Sequence, residues 1–340
     1  MNQKKPLLLI TGGAGYVGSN LIREALFHGY RVRCLDILIY GGKSIVGLMN
    51  HPDFELQVGD VRRDEDLIRA LNGVDAVVHL AAIVGDRPCQ VAPRLSFQIN
   101  FESTMRIADL AKKAGIKRFV FASTCSNYGI VEGDTLADED SRLNPVSLYA
   151  ESKIDCEKFL MQSISEDFKP TILRFGTAFG ISFRTRFDLT VNSLVYEALN
   201  HDQIVVFAAN MWRPYVHVHD MSIITLLVLN ADLNKVGGQI FNAGSTKENY
   251  TKQQIIEMIL DQIKVKVHYA NDIDDKRNYR VNFDRLETAT GYKPTRTVQS
   301  GISELIQCFQ SGILTKDDFE GNKLDTLAEF YAKQEIKLKK

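Results

Sequence analysis

Tyr149-Ala-Glu-Ser-Lys153 sets a phenol and an ammonium four residues apart in a stretch patterned as a helix, so both side chains share one face. A phenol titrates near ~10, and half-ionising it at pH 7 takes ~3 units, or about 4 kcal/mol. A neighbouring ammonium and the positive ring of an oxidised nicotinamide are charges that could supply this. The pair could then take the proton of an alcohol as the carbon gives up hydride. A second cluster, Ser123-Thr124-Cys125-Ser126-Asn127-Tyr128-Gly129, follows an apolar run. A hydroxyl there can hydrogen-bond the oxygen whose proton Tyr149 removes. Taken singly, each hydroxyl also fits a strand-end cap, and Tyr-x-x-x-Lys recurs by chance on exposed helices. Position gives them weight, because they follow the fifth predicted strand, at the edge of a parallel sheet where active sites gather.

The elements that must hold these groups begin at the N-terminus. Leu7-Leu8-Leu9-Ile10 runs into Thr11-Gly12-Gly13-Ala14-Gly15-Tyr16-Val17-Gly18, which opens a helical pattern through Phe27. Gly13, Gly15 and Gly18 satisfy G-x-G-x-x-G, and Gly12, Gly15 and Gly18 satisfy G-x-x-G-x-x-G. Glycines there let backbone amides around Tyr16 and Val17 approach a pyrophosphate at a helix N-terminus. Asp36 closes the second apolar run, where a carboxylate hydrogen-bonds adenosine ribose hydroxyls and repels a 2′-phosphate. Arg31 and Arg33 precede Asp36 and are poorly placed as phosphate clamps. Strand, glycines, helix, strand and acid in that order predict a bound dinucleotide, NAD rather than NADP.

Further short apolar runs at 54–58, 76–80, 119–122 and 171–174 alternate with helical stretches, of which 93–113 and 147–168 are the longest. Strands buried on both faces and joined by helices imply right-handed βαβ units and a parallel sheet. The expectation is an α/β chain: a Rossmann-type doubly wound parallel sheet and a smaller C-terminal α/β substrate domain. Residues 1–175, with returning segments near 214–245, form the cofactor domain. Residues 176–213 and 246–330 form the substrate domain, and the Lys-rich end 337–340 is frayed.

The 340 residues carry 41 Lys+Arg against 42 Asp+Glu, a net charge of −1, which offers no footprint for nucleic acid or an anionic membrane. No apolar run nears the ~20 residues that span a bilayer, and no secretory signal is apparent. Five scattered cysteines without Cys-x-x-Cys predict reduced thiols in a cytoplasmic protein. His217 and His219, expected to alternate along a strand, are too few for a metal site, and none is expected.

Together, Thr11–Gly18, His79-Leu-Ala-Ala82, Ala122–Gly129 and Tyr149-x-x-x-Lys153 resemble the extended short-chain dehydrogenases/reductases, in particular the nucleotide-sugar epimerase/dehydratase group. Arg213-Pro-Tyr-Val-His-Val-His-Asp220, Phe241-Asn-Ala-Gly244 and Gly291-Tyr-Lys-Pro294 extend the resemblance over about residues 6–310. It implies Thr124, Tyr149 and Lys153 as the catalytic triad, with Lys153 also holding the nicotinamide ribose. It implies that Asp60 and Val61 meet adenine, that Leu80, Ala81 and Ala82 line the cofactor, and that Asn100 supports the site. Arg213 and Arg277 match arginines that clasp a sugar-nucleotide diphosphate, and Asn192 matches a phosphate-contacting amide. A homodimer built from the two long helices of each subunit is implied as well.

The common first step would be oxidation of a sugar C4 hydroxyl. In the resembling dehydratases an Asp-Glu pair directly follows the catalytic Thr; here Cys125 and Ser126 stand there, which disfavours dehydration. A 4-epimerase needs no further group and leads the expectation. A C4 dehydrogenase or 4-keto-sugar reductase would use the same triad, and a regulatory NAD-binding protein is the non-enzyme alternative. Arg87, Arg184, Arg186 and Asp188 fit either substrate contacts or solvated loop charges.

Overall fold

The computed structural model describes residues 5–131, 133–270, 277–322 and 329–333. Its strands, in chain order, are β1 (Leu7–Thr11), β2 (Arg31–Asp36), β3 (Phe54–Val58), β4 (Ala76–His79), β5 (Arg118–Thr124), β6 (Leu136–Ala137) and β7 (Lys169–Phe175). Then come β8 (Thr177–Phe179), β9 (Gln203–Val206), β10 (Trp212–His217), β11 (Ile240–Ala243), β12 (Asn249–Thr251), β13 (Lys266–Tyr269) and β14 (Arg280–Val281). Seven form one sheet in the order β11-β7-β5-β4-β1-β2-β3, every pair parallel. The remaining strands make small sheets: β12-β10-β8, β13-β9 and β14-β6.

Alternation along each strand explains why both sheet faces are covered. Leu8, Ile10, Val32 and Val120 point to a face packed by Leu21 and Ile22 of α1 (Tyr16–Phe27) and by Ile224 of a helix over Val218–Asn230. Leu9, Leu35, Val77 and Phe119 point the other way, against Leu67, Ile107 and Leu160 from the helices Asp64–Leu71, Ser103–Lys113 and Leu148–Gln162. Strands flanked on both sides have no wet face, so their runs are continuously apolar. The chain leaves this sheet at Phe175 and comes back to it at β11, its edge. A third apolar cluster, including Phe179, Val191, Ile255 and Ile302, underlies the later segments.

Three local expectations are corrected. The 93–113 stretch is helical throughout but interrupted by a π-helical turn over Phe97–Glu102. The helix expected to reach 168 stops at Gln162, and Ser165 and Phe168 exchange backbone hydrogen bonds in a tight turn that delivers buried Phe168 to the core. His217 ends β10, whereas His219 lies in the first turn of the following helix, where its N–H donates to His217 Nδ1 at 3.1 Å. The Lys-rich end at 337–340 lies outside the described residues.

Candidate active site

Strand order reverses between β1 and β4, and the crevice outside their C-terminal ends is where a doubly wound sheet binds ligands. A cleft of about 1430 Å³ opens there, above the roughly 300–1,000 Å³ usual for one small ligand, so it has room for a dinucleotide and a second molecule.

The glycine turn forms one wall. Gly12 sits at φ +70°, and a Cβ on it would come within 2.9 Å of the Ala81 backbone. A Cβ on Gly18 would stand 2.5 Å from the Gly12 carbonyl oxygen. Backbone cannot yield as a side chain can, so this cradle requires glycine at both positions. Gly15 is the N-cap of α1 and no side chain caps the helix, so its first-turn amides face the cleft as an anion seat. Asp36, at the end of β2, lines the same wall and accepts hydrogen bonds from the amides of Ala14 (2.9 Å) and Leu38 (2.8 Å). Burial raises its pKa, opposed by those amides and by the charge of Arg184. Leu80, Ala81, Ala82, Asp60 and Val61 complete the wall. Asp60 is already engaged, its carboxylate held by Arg62 at 2.6 Å. Asn100 stands behind the wall, fully buried, and ties down Ile83 by accepting from its N–H (2.8 Å) and donating to its carbonyl (2.9 Å). These features fit a dinucleotide: a glycine cradle, an anion seat and a strand-end carboxylate in one groove.

The catalytic candidates meet in the same cleft, which Thr124, Tyr149 and Lys153 all line. Thr124 ends β5, and its Oγ accepts the Ser126 N–H at 3.1 Å. Ser147 caps the helix carrying Tyr149 and Lys153 by accepting the Ala150 N–H. The Lys153 ammonium is 3% exposed as a residue, 5.9 Å from the Tyr149 ring centroid, and donates to the Ala122 carbonyl at 2.7 Å. Burial lowers its pKa, and burial raises that of the Tyr149 phenol, with Arg186 pulling the latter back. Burial therefore disfavours the charged form of each group, a cost that an opposite charge brought into the cleft would offset.

One helical turn past Lys153, Glu157 forms a buried ion pair with Arg174 at 2.7 Å. Glu157 Oε1 also accepts from Ser123 Oγ and from Asn127 Nδ2 at 2.8 Å. This knot fastens the strand-end turn bearing Thr124 to the helix bearing Tyr149.

The expected phosphate ligands separate. Arg277 lines the cleft and pairs with Asp86 at 3.1 Å. Arg213 does not line it: its guanidinium turns inward, donating to the Trp212 carbonyl (2.6 Å) and to the Arg277 carbonyl. Asn192 does not line the cleft either. It is fully buried, and its amide braces the chain by accepting from Gly180 N (2.9 Å) and donating to the carbonyls of Gly180 and Arg186. Cys125 is buried, with Sγ turned to the Arg174 carbonyl at 3.0 Å. Conversely, Asp86, Tyr40 and Tyr331 line the cleft without having been singled out. Asp86 and Tyr40 follow closely on β4 and β2, a position that could have flagged them; nothing local flags Tyr331.

Residues 8–244 match the NAD dependent epimerase/dehydratase family, more than half of the chain. The chain belongs to that family. Within it the protein is an NAD-dependent enzyme of the extended short-chain dehydrogenase/reductase type. It is 28% identical to a putative UDP-glucose 4-epimerase of Methanocaldococcus jannaschii over 88% of this chain and 97% of that one. It is 27% identical to a UDP-N-acetyl-alpha-D-glucosaminuronate decarboxylase of Bacillus cytotoxicus over 90% and 98%. The fold superposes on UDP-glucose 4-epimerase of Thermus thermophilus in complex with NAD, with a TM-score of 0.77, 25% identity and coverage of 89% and 99%. Among the described residues no helix is long and apolar enough to cross a membrane.

Proposed function

We propose that the protein is an NAD-dependent nucleotide-sugar 4-epimerase working through a transient 4-keto sugar. The observation that carries the reading is the convergence of Thr124, Tyr149 and Lys153 on one cleft with the glycine cradle and Asp36. NAD, when bound, supplies the hydride acceptor and returns the hydride. Thr124 orients the sugar C4 hydroxyl through its Oγ, and Tyr149 removes that proton and later restores it. Lys153 exchanges its Ala122 contact for the nicotinamide ribose and lowers the cost of the Tyr149 phenolate. Arg277 binds the substrate diphosphate after release from Asp86, and the segments 176–213 and 246–330 cover the sugar nucleotide. With Cys125 buried and Ser126 beside it, no carboxyl acid directly follows Thr124 to drive elimination. Homodimerisation through the helices at 93–113 and 148–162 goes with this reading; both carry exposed apolar residues, Phe97 and Leu148.

The test incubates purified protein with UDP-, dTDP-, CDP- and GDP-hexoses, following the sugar by chromatography and the NADH absorbance band. Conversion to the C4 epimer without accumulation of NADH, and without solvent deuterium at C4 in heavy water, is the expected result. Stoichiometric NADH with a C4-oxidised product would replace the reading with a dehydrogenase. A 4-keto-6-deoxy product would replace it with a dehydratase.

A further inference from the structure

The loop between β8 and the helix Thr190–Asn200 brings two arginines into the cleft, and their circumstances differ. Arg186 is spoken for, pairing with Asp188 through Nε at 2.9 Å and Nη2 at 2.5 Å. Arg184 is not. Its Nε and Nη2 are both enclosed, and neither has a hydrogen-bond acceptor. Those two donors form the edge of a guanidinium that grips two oxygens of one anion. The nearby carboxylates are committed elsewhere: Asp188 to Arg186, and Asp36 to the amides of Ala14 and Leu38.

The guanidinium is also held in place. Its central carbon lies 3.5 Å from the centroid of the Tyr40 ring, a stacked cation–π contact. Tyr40 is itself steadied by Tyr331, through a hydroxyl–hydroxyl hydrogen bond and an edge-on ring contact at 6.4 Å. Tyr40 belongs to the loop after Asp36, so the unfilled edge sits at the adenosine end of the groove. Arg184 lines the cleft that the uncapped N-terminus of α1 also lines, with that edge enclosed just behind the cleft wall.

We infer that Arg184 is a phosphate ligand, closing its Nε–Nη2 edge on the phosphates of the bound dinucleotide from the wall opposite the glycine cradle. A diphosphate could come from the dinucleotide or from the sugar nucleotide. The neighbourhood of Asp36 and Tyr40 selects the dinucleotide, whichever sugar reaction the enzyme runs. The ligand would then be gripped by both halves of the chain, by α1 from the first and Arg184 from the second.

The experiment uses the full chain and direct binding, independent of turnover. NADH, adenosine and UDP are each titrated onto wild type, Arg184→Gln and Arg184→Lys, UDP onto NAD-loaded protein. Loss of a charge-assisted, two-point contact weakens NADH binding by about tenfold or more in Arg184→Gln. Arg184→Lys falls between, since it keeps the charge and loses the planar fork. Adenosine and UDP affinities stay within about twofold, and the salt dependence of NADH binding diminishes. Unchanged NADH affinity with weakened UDP binding would overturn the inference by moving Arg184 to the substrate. Equal losses for adenosine and NADH would reduce it to packing on Tyr40. If Arg184→Gln fails to fold by circular dichroism, Arg184→Lys carries the test. Wild-type NADH affinity and salt dependence in that variant would refute it.

Discussion

Glu157→Gln should be far more damaging than its conservative shape suggests. Glu157 and Arg174 each have 4% side-chain exposure, and Arg174 donates to both carboxylate oxygens, at 3.1 Å from Nε and 2.7 Å from Nη2. Burial works against the Arg174 charge, yet Glu157 and Tyr128 hold its pKa above the ordinary value. Removing the negative partner leaves a buried cation uncompensated, which costs about 3–5 kcal/mol. The Gln NH2 would also face donors in either orientation, Asn127 Nδ2 and Arg174 Nε at the Oε1 position or Arg174 Nε and Nη2 at the Oε2 position, so those contacts become repulsive. The loss should appear as a lower denaturant midpoint at unchanged slope. Because the knot fastens the Ser123–Tyr128 turn, turnover should fall further than NAD affinity. Removing both charges with Glu157→Leu and Arg174→Met leaves no unpaired ion, and the double variant should be more stable than Glu157→Gln. A Glu157→Gln protein within about 1 kcal/mol of wild type, or a double variant less stable than the single, would refute the argument.

Tyr149→Phe removes only the phenolic proton relay, so turnover should drop by about 10²–10⁴-fold while NAD titrates as in wild type; comparable turnover would dismiss Tyr149 as the base. Asp36→Ala should weaken NAD binding and leave NADP binding nearly unchanged or improved, since the ribose contact and the 2′-phosphate repulsion disappear together. Matched losses for both cofactors would count against the ribose role. His79 is buried between Thr11 Oγ (2.7 Å) and Thr104 Oγ (3.1 Å), and burial pushes its pKa down from 6.5 to about 3. The unfolded chain therefore takes up this proton first as pH falls. Its stabilising share is complete above about pH 6.5 and is lost progressively toward pH 3, at up to about 1.4 kcal/mol per pH unit. Urea midpoints of His79→Gln between pH 7 and 4.5 should fall less steeply than those of wild type, and parallel curves would contradict this.

Six of the seven strands of the large sheet were legible to within about two residues because enclosure on both faces demands unbroken apolar runs bounded by turn residues, whereas β11 was legible only as part of a returning segment near 214–245. The glycine turn and the carboxylate that lines the cleft beside it were legible for a different reason: glycine spacing and a strand-end acid depend on geometry local to the first sixty residues. The 163–168 segment misled because its pattern continues helically although Phe168 is claimed by the core. His219 misled because alternation cannot tell a strand end from a helix start.

What the sequence determined by itself was the α/β sheet, the cradle with Asp36, and the membership of Thr124, Tyr149 and Lys153 in one site. Each depends on short spacing or on a sheet edge that the strand pattern already defines. Only the tertiary structure decided the fate of the polar side chains that come from far along the chain. Arg213 and Asn192 carry the right chemistry for phosphate but spend it on backbone groups, whereas Arg184 keeps an enclosed edge without an acceptor. Asp86 meets Arg277, and Tyr331 meets Tyr40 across 291 positions. An arginine's charge is a property of its residue type, but the partner that satisfies it depends on which distant segment folding brings within 3 Å.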